Sequence, residues 1–412
     1  MNVLGMILAG GEGSRLYPLT KERAKPAVPF GAKYRLIDFV LSNFVNSKIY
    51  STYVLTQFKS QSLTEHLQEG WRLSSIIPDH FILPVPAQKR TGDSWYQGTA
   101  DAIYQNINLI EGHPYDLVAV FGADHIYRMD LQQMISFHLK KKADVTVAAI
   151  PVPLREATAF GVIKVADKHR ITGFQEKPAR PKPIPGRPGE AYASMGNYIF
   201  NANFLVKILY EDASRESSSH DFGKDILPRI YKSSRVFAYD FRTNRIPGAN
   251  ANEVGFWKDV GTINSFWEAN MDLRNIKPTF NLYNTQWPIR TAIYDGPPAK
   301  FVFNEDGRRG QAVNSIVAEG SIISGGIVQD SVIGRSVTID SGAAVINSLV
   351  MDRVRIGKKC KINMAIIDKD VDVPPGTTIG YNLEEDKARF LVDEESGIIV
   401  IPKGYRFTPP SA

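Results

Sequence analysis

The sequence predicts an α/β protein in two unlike parts. A mainly parallel, doubly wound sheet spans residues 1–285, and a β-helix of hexapeptide repeats spans 312–412, with a linker at 286–311 between them. Two observations carry this prediction. The first part alternates short apolar or β-branched runs with helix-like segments, the pattern of strands joined by crossover helices. In the second part that texture stops, and Ile or Val recurs at intervals of 6, 6 and 5 residues.

Taken in order, Val3–Ala9, Thr52–Gln57, Leu117–Phe121 and Val145–Ile150 read as buried strands. Phe39–Ser47, Ser62–Glu69, Thr99–Ile110 and Leu131–Lys141 read as helices between or beside them. Gly161–Val165 and Ile171–Gln175 read as a hairpin. Five prolines between Pro178 and Pro188 exclude a helix there and predict a stiff, exposed loop. Pro278, Pro288, Pro297 and Pro298 punctuate the approach to the second part.

The repeat consists of Ile316, Ile322, Val328, Ile333, Ile339, Val345, Val350, Ile356, Ile362, Ile367, Val373 and Ile379, so each phase returns every 17 residues. A helix of 3.6 residues per turn cannot hold that pattern, and Gly, Ser and Asp break the gaps. Three short strands per coil, each with one inward Ile or Val, account for it. All seven histidines lie at or before His220, so the repeats carry no histidine base. That favours a structural or assembly role for the β-helix over a second active site.

Composition narrows the class. Apolar residues make up 43% and charged residues 22%, which is globular and not disordered. Cys360 is the single thiol, so no intrachain disulfide forms, and a reducing compartment is expected. The first apolar run is too short for a membrane span and lacks the basic flank of a signal peptide. No other segment reaches 18 uninterrupted apolar residues. We therefore expect a soluble, cytoplasmic chain with no membrane association. The net charge of +6 comes from dispersed Lys and Arg, which reads first as a solvated mixed-charge surface, next as a surface for anionic small molecules, and least as one for nucleic acid.

Chemistry gathers in a few places. Gly10, Gly11 and Gly13 follow the first strand, and a loop of this kind lets backbone N–H groups wrap phosphate oxygens. A plain strand-to-helix turn would use the same glycines. No Gly-Lys-Ser/Thr follows, so the loop is not a P-loop. Arg15 and Lys25 place two cations nearby, as a triphosphate would need. Asp124 ends a strand at the ligand-binding edge of a parallel sheet, either as the N-cap of the next helix or as a Mg²⁺ ligand. Asp259 is the second candidate ligand. Glu176 and Lys177 form either a surface ion pair or an anion site with a carboxylate for sugar hydroxyls. Ser194 and Asp221 add polar groups of the kind a hexose needs.

Read together, Leu8–Leu16, Arg23–Gly31, Trp95–Ala102, Ser217–Asp225, Trp257–Thr262 and Trp287–Thr291 resemble the glucose-1-phosphate adenylyltransferase family, bacterial type. The resemblance extends from about residue 3 to residue 405. It implies a Rossmann-like (GT-A-like) nucleotidyltransferase domain followed by a left-handed parallel β-helix. It also implies a Mg²⁺-dependent enzyme making ADP-glucose and pyrophosphate from ATP and glucose 1-phosphate for glycogen synthesis. By motif, Asp124 and Asp259 would hold Mg²⁺, and Arg15 and Lys25 would steady the triphosphate beside the glycine loop. Tyr96 would line the nucleotide and sugar pocket. Gly161, Glu176, Lys177 and Ser194 would bind glucose 1-phosphate, with Lys177 on its phosphate. A homotetramer with an allosteric site between the two domains, taking a sugar-phosphate activator, is implied as well.

Two positions depart from that pattern. Glu22 stands where some bacterial members carry an activator-linked lysine, and Glu12 where some carry arginine. The first strand comes without the arm that many members carry before it, and the lack of a transit peptide leads us to expect a bacterial rather than a plastid form. A relative using UTP or dTTP and a catalytically silent regulatory subunit are the competing readings. Retention of Arg15, Lys25, Asp124, Lys177 and Asp259 argues against the silent subunit.

Overall fold

The computed structural model describes residues 1–73, 77–90, 92–305 and 308–407. Parts of the expected linker (306–307) and of the expected β-helix domain (408–412) therefore lie outside the described residues.

In chain order the strands of the first part are β1 (Val3–Leu8), the short β2 (Pro29–Phe30) and β3 (Tyr34–Arg35), β4 (Ser51–Thr56), β5 (Phe81–Pro86) and β6 (Leu117–Gly122). They continue with β7 (His125–Tyr127), β8 (Val145–Pro153), β9 (Gly161–Val165), β10 (Ile171–Glu176), β11 (Glu190–Asn201), β12 (Val236–Asp240) and β13 (Trp257–Asp259). The helices used below are α1 (Leu36–Asn46), α2 (Gln61–Gly70), α3 (Thr99–Tyr104), α4 (Asn108–Glu111), α5 (Leu131–Lys140), α6 (Leu154–Ala157) and α7 (Ala202–Ala213).

The main sheet runs β10-β9-β11-β6-β1-β4-β5, with β8 and β12 attached through β11. β1 lies between β4 and β6, parallel to both. It is covered on both faces, which is why it reads as an unbroken apolar run rather than an alternating one. The apolar pattern predicts none of β5, β11 and β12 of this sheet, nor the short β2, β3, β7 and β13. β5 carries Pro84 and Pro86 and survives because it is the edge strand, where missing N–H donors go unused. β11 is twelve residues long and antiparallel to β6, β8 and β9, so the sheet is mixed rather than purely doubly wound.

One expected helix is divided. Residues 99–110 form α3 and α4, with three turn residues between them. Asn106 Nδ2 donates to the Ala102 carbonyl at 2.8 Å, so a side chain competes for a helical acceptor at the break. The same amide donates to Tyr96 Oη at 2.8 Å, and that ring packs against the core beneath α3.

The second part is a stack of coils in three parallel ribbons. The first ribbon begins with Lys300–Val302, which pairs with Ile322–Ser324 although it falls within the expected linker. Ten of the twelve repeat positions face inward and are buried, from Val328 to Ile379. The first two are off by one. Val317, not Ile316, stands opposite Ile333, and Ile323, not Ile322, stands opposite Ile339. Ile323 is buried, whereas Ile322 is 38% exposed, and Ile316 packs toward the first part. The doublets Ile316-Val317 and Ile322-Ile323 satisfy the pattern in either register, and only stacking on the next coil selects one.

The corners obey the same period. Asn314, Asp330, Asn347 and Met364 all have positive φ, as do Gly325, Gly342, Lys359 and Gly376. A single left-handed residue turns the chain at each corner, a conformation Gly, Asn and Asp adopt at least cost. The two parts share one core: Leu16, Phe30, Phe266 and Phe280 pack with Val332, Leu349, Ile366 and Val400 of the coils. At its margin the buried Arg23 guanidinium meets Asp368 at 2.7 Å, and Arg335 and Lys369 meet Asp352 at 2.6 and 3.1 Å.

Candidate active site

The glycine loop leaves β1 and passes into a single 3₁₀ turn, Ser14–Leu16, rather than a long helix. Gly13 sits at φ 66°, and a Cβ there would lie 2.7 Å from Lys25 Cβ. Only glycine fits, and its absence of side chain lets Lys25 reach beneath the loop. Lys25 is itself buried, and its Nζ donates to Asp124 Oδ2 at 2.9 Å and to Asp259 Oδ1 at 3.2 Å.

The meeting of these two aspartates has a simple origin. β7 and β13 form a two-stranded antiparallel ribbon in which Asp259 stands opposite His125, the residue after Asp124. Asp124 is not a helix cap, since α5 begins beyond it and is capped by Asp130. Burial pushes the Asp124 carboxyl up, but the neighbouring His125 and Lys25 outweigh it and hold the group well below the usual carboxylate range. Burial opposes the charge on Lys25, yet Asp124 and Asp259 raise its pKa. Arg15 is mostly exposed and reaches Asp259 Oδ2 at 3.6 Å.

Oxygen or nitrogen atoms of Asp124, His125 and Asp259 all lie within 4.8 Å of one another. Two carboxylates offer hard oxygens of the kind Mg²⁺ takes together with substrate phosphates. The Lys25 ammonium between them marks a place that concentrates positive charge. The residues fit a divalent cation.

The opposite wall is built around an irregularity in β11. Its register shifts between Ser194 and Tyr198, with Gly196 at φ 71°, and the bulge turns Ser194 into the cleft. Glu176 ends β10 beside it. Burial and the charge of Asp221 push the Glu176 carboxyl up, with Lys177 and Lys224 opposing. The Glu176 carboxylate lies so near Gly161 and Gly223 that a Cβ on either would meet it at 2.9 Å. Asp221 Oδ1 accepts from the N–H groups of Gly223 and Lys224, and Oδ2 accepts from Thr99 Oγ1.

One cleft of about 770 Å³ is lined by Gly10, Gly11, Gly13, Arg15, Lys25, Tyr96, Asp124, Gly161, Glu176, Lys177, Ser194, Asp221 and Asp259. Every candidate catalytic, substrate, nucleotide or metal residue named from the sequence therefore lines the same cavity. Others there went unnoticed. Gln57, at the end of β4, accepts from Tyr96 N–H through Oε1 at 2.8 Å. Trp257 packs against His125 and Phe160, with ring centroids 4.7 and 5.2 Å away. Gln57 follows a buried strand directly, and that position was the available clue.

A glycine loop backed by a lysine, paired aspartates at the sheet's carboxyl edge and a polar wall facing them define a sugar-nucleotide type of nucleotidyltransferase. The nucleotidyl transferase family matches residues 4–276, and the GlmU-like, C-terminal hexapeptide family matches residues 297–401. Glucose-1-phosphate adenylyltransferase of Thermus thermophilus is 56% identical over 99% of both chains. Glucose-1-phosphate adenylyltransferase 1 of Vibrio parahaemolyticus is 54% identical over 98% of both. The Deinococcus radiodurans protein of the same name is 50% identical over 98% of this chain and 99% of its own. The chain belongs to the glucose-1-phosphate adenylyltransferase family. Use of a divalent metal is general among nucleotidyl transferases and agrees with the aspartate pair. No helix among the described residues is long and apolar enough to cross a membrane.

Proposed function

We propose that the protein transfers the adenylyl group of ATP to glucose 1-phosphate, giving ADP-glucose and pyrophosphate, and so supplies the glucosyl donor for glycogen synthesis in the cytoplasm. The observation that supports this most is the facing pair of walls: Lys25, Asp124 and Asp259 on one side, Glu176, Lys177, Ser194 and Asp221 on the other.

A phosphate oxygen of glucose 1-phosphate attacks the α-phosphorus of ATP. The new P–O bond forms as the bond to the β-phosphate oxygen breaks, and pyrophosphate departs with that electron pair. No covalent enzyme intermediate is required. The glycine loop presents N–H groups to the triphosphate, and Arg15 and Lys25 offset the charge gathering on the leaving group. Lys177 holds the sugar phosphate, and Glu176, Ser194 and Asp221 accept from or donate to its hydroxyls, fixing the attacking oxygen. Asp124 and Asp259 hold Mg²⁺, which when bound polarises phosphoryl oxygens and screens their charge. Pyrophosphate release from purified protein, with ATP, UTP and dTTP assayed side by side, tests the reading. Release with ATP and glucose 1-phosphate upholds it, and a preference for UTP or dTTP replaces it.

Lys177→Ala raises the KM for glucose 1-phosphate and spares that for ATP. Loss of one charge-assisted contact to phosphate costs roughly 1.5–3 kcal/mol, or about 10- to 150-fold. Equal damage to both substrates in steady-state kinetics assigns Lys177 a structural role instead.

The same reading includes residues 1–285 as the catalytic domain and the coils as a structural domain of a homotetramer. It also includes a sugar-phosphate activator bound between them. Arg23, Arg35 and Lys369 meet at that boundary, where burial, reinforced by Arg35 and Arg23 and opposed by Asp352, pushes the Lys369 ammonium down to about 8. Glu22 is exposed next to Arg23. Glu22→Lys replaces repulsion of a phosphate by attraction and raises activator affinity by about 5- to 30-fold, within the usual range of effector coupling. Activation curves with fructose 1,6-bisphosphate at one ionic strength measure this, and superimposed curves exclude position 22 from the activator site.

A further inference from the structure

Asp212 lies in the last turn of α7, is buried and does not line the cleft. Its carboxylate nevertheless gathers donors from the segment that does. Ser218 Oγ donates to both oxygens at 3.0 and 3.1 Å, and Arg229 Nη1 lies 3.4 Å away. His220 Nδ1 lies 2.9 Å from Oδ2, and because an ionised carboxylate only accepts, that nitrogen is the donor. Ser218 Oγ also accepts from His220 N–H at 3.0 Å.

These bonds hold His220 at φ 53°, a left-handed conformation that a bulky residue enters only under constraint. With the backbone turned this way, the His220 carbonyl accepts from Ala100 N–H at 2.8 Å and Asp101 N–H at 3.2 Å, at the start of α3. The approach is close enough that a Cβ on Gly98 would lie 2.3 Å from that carbonyl oxygen. The next residue, Asp221, receives Thr99 Oγ1 at 3.0 Å, and Phe222 N–H donates to the same hydroxyl at 3.0 Å. Gly98 and Thr99 directly follow Tyr96, read above as lining the nucleotide and sugar pocket, and Gln97, which lines the same cleft. A single turn thus fastens Asp221 of the sugar wall to the Tyr96–Asp101 segment of the same cleft, and a buried carboxylate outside the cleft holds that turn.

We infer that Asp212 is a positioning residue which, through Ser218 and His220, sets the spacing of the two substrate subsites. The inference rests on the reading of the cleft given above. It assigns Asp212 an effect on both substrate affinities without contact to either substrate.

The test compares wild-type protein with Asp212→Ala, His220→Ala and His220→Asn. Asparagine offers a donor near the place of Nδ1 and tolerates left-handed backbone better than other side chains. In steady-state kinetics Asp212→Ala and His220→Ala raise KM for glucose 1-phosphate about tenfold and for ATP about threefold, with kcat changed less than either, whereas His220→Asn stays within about twofold of wild type. Titration calorimetry with ATP and with glucose 1-phosphate reads the same affinities without turnover. If wild-type protein binds both but forms no product, the functional reading fails while the inference is still judged on the binding constants. A lowered kcat or melting temperature with both affinities unchanged overturns the inference. Should Asp212→Ala not fold, equal affinities in His220→Ala and His220→Asn overturn it just as well.

Discussion

Asp124→Asn lowers kcat by on the order of 10³-fold or more, about 4 kcal/mol of barrier, while the fold stays intact. The side chain keeps its size, so packing is little disturbed. What is lost is a negative charge at the carboxyl edge of the sheet, where Asp124 and Asp259 face one Lys25 ammonium. On the proposed assignment the two carboxylates share the cation, and the substitution leaves only one of them charged. The lysine is affected too, since one of the two partners that keep it charged in a buried position becomes neutral. The measurement is kcat across a Mg²⁺ titration, with circular dichroism and melting temperature as controls. Near-normal turnover at every Mg²⁺ concentration sinks the assignment of Asp124.

Ile339→Asp abolishes soluble assembly or folding, while Ile322→Asp is tolerated. Ile339 is completely buried, between Ile323 on the preceding coil and Ile356 on the next. An unpaired carboxylate there has no solvent and no partner, which costs several kcal/mol, comparable to the whole stability of many domains. Each coil packs only on its neighbours, so the damage spreads along the stack. Ile322 is a repeat position by spacing alone, but it points outward. Size-exclusion chromatography and thermal melting of the two variants separate the registers. A soluble, fully active assembly from Ile339→Asp shows the stacking described here to be wrong.

The β-helix was legible from spacing because its contacts are local and repetitive. Every coil meets the next at the same offset, so the pattern of packing is also the pattern in the chain. Spacing misleads at the first coil, where Ile316-Val317 and Ile322-Ile323 offer two equivalent choices, and it misses the strand Lys300–Val302 that precedes the repeat. The strands covered on both faces, β1, β4, β6 and β8, were legible for a related reason, since burial on both faces selects runs of apolar and β-branched residues. β5, β11 and β12 were not, and for the first two the reason is visible. Prolines disguise the first, and the second spans a bulge that breaks its pattern near Ser194.

Individual site residues could be named from their types and from their places after strands: Gly10, Gly11, Gly13, Arg15, Lys25, Asp124, Glu176, Lys177 and Asp259. Local chemistry suffices to mark a residue as able to bind phosphate, metal or sugar. That these groups meet was decided by tertiary structure alone. Asp124 and Asp259 converge because β7 and β13 pair, and that pairing depends on how the core closes between distant segments. The role of Asp212 was equally hidden, since an aspartate near a helix end carries no mark of the turn it holds. Period and residue type are local quantities and survive in one dimension, whereas the distance between two side chains is set by the packing of everything between them.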